Sequence, residues 1–248
     1  MSPISSLQEG ANIVIAGANG GIGNALVKWL ASDARAGRIW ALSRSPLAVS
    51  SSRIRPVVTD VTDEKSVEAM AIRCAEHGPL DLVVVATGVL HDGDEIQPEK
   101  RMRDLDGPMM SKVFRINTFA PTLIAKHFLP LMRQDAKTAF AAISARVGSI
   151  ADNRLGGWAS YRASKAALNM YMKTLSIEHA RTHPEGLVVT LHPGTTNTAL
   201  SKPFQRNVPP DKLFSPEYAA ERLLQVLDQL TSTDTGGFYA WDGDPIEY

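Results

Sequence analysis

One cysteine, Cys74, is all the thiol chemistry this 248-residue chain has, so no disulfide can close within it. That usage suits a reducing compartment, and a cytoplasmic location is expected. The setting of the cysteine, "AMAIRCAEHG", reads as an amphipathic helix, which makes the thiol a packing group. Excess charge is missing too. Lys plus Arg and Asp plus Glu both number 26, and no basic stripe or charged tail points to nucleic acid. Nowhere do about 18 apolar residues follow one another, so no membrane span is expected. The opening "MSPISSLQEG" lacks the basic segment and apolar run of a secretory leader. The six histidines suggest no metal site. Repeats and low-complexity segments are absent.

What the chain does have is alternation. Apolar runs at 11–17, 38–43, 55–60, 81–88, 138–145, 187–193 and 236–243 read as strands, and their near-continuous character implies a sheet covered on both faces. Between them, apolar residues recur at helical spacing over about 22–32, 63–77, 108–133, 158–181 and 216–230. Thr62 or Asp63 caps the second helix, and Ser215-Pro216 opens the last. This order predicts right-handed βαβ units and an α/β fold. The expectation is one Rossmann domain over 1–248, a doubly wound parallel sheet of about seven strands with helices on both faces. Irregular stretches that follow strands, the loop over 43–53 among them, fall at the carboxyl edge of such a sheet, where ligands bind. Substrate loops are expected at about 88–107, 145–158 and 198–215, with Leu90, Ile150, Leu155, Trp158, Leu200 and Phe204 as apolar lining.

After the first strand, "GANGGIG" sets Gly17, Gly21 and Gly23 in a tight turn leading into a helix. With no side chains in the way, a pyrophosphate can approach the N–H groups at the helix start, so a dinucleotide is expected. The second strand ends in Ser43-Arg44, and no Asp or Glu occurs between Asp33 and Asp60. A carboxylate there would hold the ribose 2′-hydroxyl of NAD. A guanidinium matches a 2′-phosphate instead, which favours NADP. Asp60, ending the third strand, suits either the adenine edge or the cap of the next helix. In "GWASYRASKAALNM", Tyr161 and Lys165 lie one turn apart on one helix face. Alone, this is either a surface pair or a phenol whose proton is loosened by a neighbouring cation.

Together with Asp60-Val61, Asn117 in "FRINTFAP" and Pro193-Gly194 in "HPGTTNT", these motifs resemble the short-chain dehydrogenase/reductase family over nearly the whole chain. "ISARVGSIADNRLGG" and "HPGTTNTALSKPF" look most like its C-factor-like proteins and sniffer-type carbonyl reductases. The resemblance implies that Tyr161 donates the proton, while Lys165 binds the nicotinamide ribose and lowers the tyrosine's pKa. It implies that Asn117 holds a relay water and that a serine on the fifth strand orients the carbonyl. Pro193, Gly194, Thr196 and Thr198 would contact the nicotinamide amide. The remaining dinucleotide contacts would come from Asn19, Gly20 and Ile22 in the glycine turn, from Ser43, Arg44, Asp60 and Val61, and from Ala86, Thr87 and Gly88. The implied activity is hydride transfer between NADP and a small carbonyl or alcohol, with reduction favoured. A homodimer or homotetramer is expected, because the helix over 158–181 is also small or apolar on a second face (Ala163, Ala166, Ala167, Met170, Ile177).

Two departures qualify the resemblance. The family's Asn-Asn-Ala-Gly stands here as Val85-Ala86-Thr87-Gly88, and its serine position is Ala145. Ser144 lies one residue early, where strand alternation turns it away unless the strand has ended or bulged. Ser144 is the expected partner, with Ser149 the other candidate. Asn117 weakens the helical pattern around it, and Pro121 lacks the N–H that would bond the Asn117 carbonyl, so a kink is expected there. Ala145 leaves open a cofactor-binding regulatory or signalling protein with little turnover. A sugar-nucleotide epimerase is disfavoured by the glycine spacing and by the length of 248 residues.

Overall fold

The apolar runs become strands in the expected order. The computed structural model describes residues 4–48 and 51–248, so 1–3 and part of the loop expected over 43–53 lie outside the described residues. The chain begins with β1 (Ala11–Ala16), α1 (Gly21–Ser32), β2 (Ala36–Ser43), β3 (Ile54–Val58), α2 (Glu64–Ala75) and β4 (Leu82–Val85). Next come α3 (Gly107–Phe114), α4 (Ala120–Phe128), β5 (Thr138–Ile143), α5 (Ala159–His179) and β6 (Gly186–His192). β7 (Thr195–Thr196), β8 (Leu213–Phe214), α6 (Pro216–Gln229) and β9 (Phe238–Ala240) complete the chain.

Seven strands form one parallel sheet in the order β3-β2-β1-β4-β5-β6-β9. The order reverses between β1 and β4, so the crossovers leave in opposite directions and open a crevice at the carboxyl ends. Side-chain alternation feeds two cores. Ile13 and Ile15 of β1 pack with Leu26, Leu30, Leu223 and Leu227 of α1 and α6. Val14 and Ala16 face Ile124, Phe128, Leu168 and Met172 of α4 and α5. Cys74 is buried in that second core, and burial pushes its thiol up to about 12, consistent with a packing role. Asp63, accepting from Ser66 N, and Ser215, accepting from Tyr218 N, cap α2 and α6. No helix among the described residues is long and apolar enough to cross a membrane.

The helix expected over 108–133 is not continuous. Between α3 and α4 the chain makes a π turn over Arg115–Phe119, in which Ala120 N–H donates to Arg115 O, five residues back. The expected kink at Asn117 is thus a local widening of the helix, just ahead of the N–H that Pro121 cannot supply.

Candidate active site

At the β1–α1 turn, Gly17 takes φ +86°, and a Cβ there would meet the backbone of Ala86 and Thr87 at 2.9 to 3.0 Å. A Cβ on Gly21 would lie 2.5 Å from Thr198 Cγ2, and one on Gly23 would overlap the Gly17 carbonyl. The turn therefore lies directly against the backbone at the end of β4 and against the Thr198 side chain after β6. Gly20 caps α1 without a side-chain bond, and no acid lies in the first turn, so the helix start offers amides to an anion. Ile22 packs against the core, and Thr87 Oγ1 is buried without a partner. Asn19 Nδ2 donates to Ser45 O (3.0 Å) and Oγ (2.8 Å), and Ser43 Oγ donates to Ser45 O (2.6 Å). These bonds fix the bend that leaves Arg44 exposed beside the crevice. Asp60 accepts from Thr62 N (2.9 Å) and Oγ1 (2.8 Å). Those bonds, with Arg115 and Arg44 nearby, hold its carboxyl below the usual range. Val61 is buried in the core. A turn too tight for any side chain, uncapped amides at the helix start, an orphaned hydroxyl and an exposed cation fit a dinucleotide.

Tyr161 and Lys165, the expected proton donor and its partner, lie on α5. Gly148 brings the turn at 146–148 against this helix, since a Cβ there would lie 2.7 Å from Lys165 Cβ. Lys165 is 2% exposed, donates from Nζ to Ile143 O (2.8 Å), and lies 5.9 Å from the Tyr161 ring centre. A Cβ on Gly88 would meet Asn117 Oδ1 at 3.5 Å, Lys165 Nζ at 3.6 Å and Leu200 Cδ1 at 4.0 Å, so these four residues converge. Asn117 Oδ1 accepts from Val89 N (2.8 Å), while Nδ2 donates to Val89 O (2.9 Å) and Ser164 Oγ (3.1 Å). The amide thus pins the chain after β4 through Val89 and ties it to α5 through Ser164. Gly194, at φ +71°, turns the chain after Pro193 beneath Phe214 and Trp241, and the buried Thr196 donates to Pro193 O (3.3 Å).

Several expectations change. Burial pushes the Tyr161 phenol up to about 12 and lowers Lys165 to about 8, so within the chain alone desolvation outweighs any lowering of the phenol by the lysine. Ser144 follows the end of β5 yet keeps the face of Phe140 and Ala142. Its buried hydroxyl donates to Asn169 Oδ1 of α5 at 2.7 Å. Ser149, also buried, accepts from Asp152 N at 3.1 Å. Of the expected lining, Ile150 and Leu155 are 76% and 93% exposed, and Ile150 borders a groove with Met170 and Tyr248 instead. His179 and His183 stack at 4.0 Å, but His183 bonds Thr182 Oγ1 and Met132 O through its two nitrogens. Glu99 was missed altogether: its carboxylate partner, Ser160, is 61 positions away, and no local pattern signals it.

A family model described as short chain dehydrogenase matches residues 11–209. The chain belongs to the short-chain dehydrogenase family. Among its relatives in that family is the 1-hydroxy-2-glutathionyl-2-methyl-3-butene dehydrogenase of Rhodococcus sp. (strain AD45), 33% identical over 242 residues, covering 96% of this chain and 100% of that one. C-signal of Myxococcus xanthus is 34% identical over 146 residues, covering 58% of this chain and 82% of its own. The NADPH-bound carbonyl reductase from chicken fatty liver shares the fold with a TM-score of 0.85 at 26% identity, over 99% of this chain and 96% of that one. The expected likeness to C-factor-like proteins and carbonyl reductases is met. Short-chain dehydrogenases are oxidoreductases that use a nicotinamide cofactor.

Proposed function

We propose that this short-chain dehydrogenase is a cytoplasmic, homo-oligomeric, NADP-dependent reductase of aldehydes or ketones, with Tyr161 as the general acid. One observation carries the reading: a buried phenol beside a buried ammonium, where Gly88 and Asn117 converge at the end of a glycine-lined crevice. Bound NADPH supplies the hydride. Tyr161, its phenol pushed up to about 12 by burial, holds the proton that the nascent alkoxide needs. Its O–H donates to the carbonyl oxygen as charge develops there. Lys165 holds the nicotinamide ribose, and Thr87, Pro193, Gly194, Thr196 and Thr198 bound the nicotinamide half. Arg44 pairs with the 2′-phosphate. Asn117 keeps the wall after β4 in place and offers its main-chain carbonyl to a relay water. Ser144 polarises the substrate only by giving up its bond to Asn169, so Tyr161 is assigned the larger share. The NADPH named for the chicken carbonyl reductase supports the cofactor reading.

NADPH oxidation across a panel of aldehydes and ketones tests the activity. Tyr161→Phe is expected to lower kcat by about a hundredfold or more. Arg44→Asp is expected to weaken NADPH relative to NADH by about 2–3 kcal/mol in a binding titration, and equal losses would remove the cofactor assignment. A second reading, a cofactor-binding signalling protein with little turnover, draws on the C-signal likeness and on Ala145. Tight NADPH binding without turnover of any carbonyl would favour it.

A further inference from the structure

Three consecutive residues before α5 take left-handed backbone: Gly156 (φ +63°), Gly157 (φ +67°) and Trp158 (φ +54°). Trp158 is the single non-glycine at positive φ among the described residues. A bulky side chain there costs free energy and persists only where its surroundings over-determine it. Two charged residues do so. Arg162 donates to Gly157 O (2.9 Å), Gly156 O (3.1 Å) and Val147 O (3.3 Å). The Glu99 main-chain oxygen accepts from Trp158 N at 2.6 Å. Its carboxylate, on a residue only 3% exposed, accepts from Ser160 N (3.2 Å) and from the Ser160 hydroxyl, capping the start of α5 from a distant loop.

The bend aims an indole at the reacting group. The Trp158 ring lies edge-on to Phe204 at 4.9 Å and to Tyr161 at 6.5 Å. Phe204 in turn meets His91 at 5.7 Å, and His91 Nε2 lies 3.0 Å from Ala199 O. The loops at 88–107 and 198–212 are thus joined through one aromatic wall beside Tyr161. The charges of Glu99 and Arg162 are spent on capping and on backbone carbonyls. We propose that Trp158 is the specificity-determining residue of this site, selecting carbonyl substrates that carry a flat aromatic group, and that Glu99 and Arg162 are the positioning residues that hold it there. The proposal rests on the reductase reading above. A flat ring gains edge and face contacts from such a wall at little cost in lost rotamers, whereas a flexible alkyl chain must be ordered to use it.

The test compares benzaldehyde with butanal under NADPH. Trp158→Gly suits it because glycine accepts the left-handed backbone, which offsets part of the packing lost with the indole, and circular dichroism matching the wild type shows that the variant is folded. Its kcat/KM for benzaldehyde falls by about tenfold, through KM, while butanal changes by less than about twofold. Glu99→Gln moves the ratio the same way by less, with NADPH affinity unchanged. Equal losses for both aldehydes in Trp158→Gly, or an unchanged ratio in Glu99→Gln, overturn the proposal. A second measurement needs no turnover. The Trp158 indole N–H resonance, assigned by its loss in Trp158→Gly, should shift with benzyl alcohol but not with 1-butanol, and should be displaced in Glu99→Gln. A resonance indifferent to all three overturns the aromatic wall. A resonance that responds in a protein reducing no carbonyl overturns the reductase reading and leaves the wall standing.

Discussion

Lys165 is a cation held out of water without a carboxylate for company. Its bond to the Ile143 carbonyl offsets little of the desolvation that lowers it from 10.5 to about 8. Between those two values the unfolded chain binds the extra proton, so stability rises with pH across that window, and the penalty is fully present below it. At neutral pH the cost is on the order of 3 kcal/mol. Lys165→Met, of similar length and without charge, is therefore expected to raise unfolding stability at pH 7 by about 1–3 kcal/mol while abolishing activity. The gain should shrink as pH climbs from 8 toward 10.5. Denaturant titrations at neutral and alkaline pH check both halves, and a less stable variant at pH 7 would refute the account.

At the scale of elements, the π turn at Arg115–Phe119 decides where Asn117 points, and Asn117 decides where the chain runs after β4. Asn117→Ala strands the Val89 N–H and carbonyl, and is expected to cost about 1–3 kcal/mol of stability and to speed exchange of the Val89 amide. Hydrogen exchange reads this directly; unchanged protection at Val89 would show that the loop is held by other means. The strands were legible because a parallel sheet covered on both faces demands continuous apolar runs, and "DLVVVATG" can hardly be anything else. The break between α3 and α4 was legible only as a kink, since apolar spacing survives a one-residue widening. Ile150 and Leu155 were misread because apolar character says nothing of which way a loop turns. Glu99 and the Asn169 bond to Ser144 were invisible, because each joins segments that only the finished fold brings together.

Seen whole, the molecule presents an apolar surface on the outside of α5. Met170 and Ile177 are 67% and 55% exposed, Ala163 is exposed beside them, and a groove of about 110 Å³ runs between Ile150, Met170 and Tyr248. The segment from α3 to α4 covers the opposite side of α5, through Leu168 and Met172, and leaves this face bare. Static light scattering at micromolar concentration is expected to give a dimer or tetramer, and Met170→Glu to shift it toward monomer with unchanged circular dichroism. A wild-type monomer would remove the assignment.

The small ladder between β7 and β8 works on the same scale. Thr195 and Thr196 run beside Leu213 and Phe214, and Asn197 N–H donates to Phe214 O at 2.8 Å, so residues 197–212 leave and rejoin the body at one stapled point. A loop closed at its base pays only logarithmically for added length. Between Gln205 and Lys212 the outer wall of the crevice is thus an exchangeable cassette, whereas Thr198, packed on Gly21, and Phe204, packed on Trp158, tie the rest of the loop to the glycine turn and to the wall beside Tyr161. Insertions there are expected to reshape the outer wall at little cost in closure entropy.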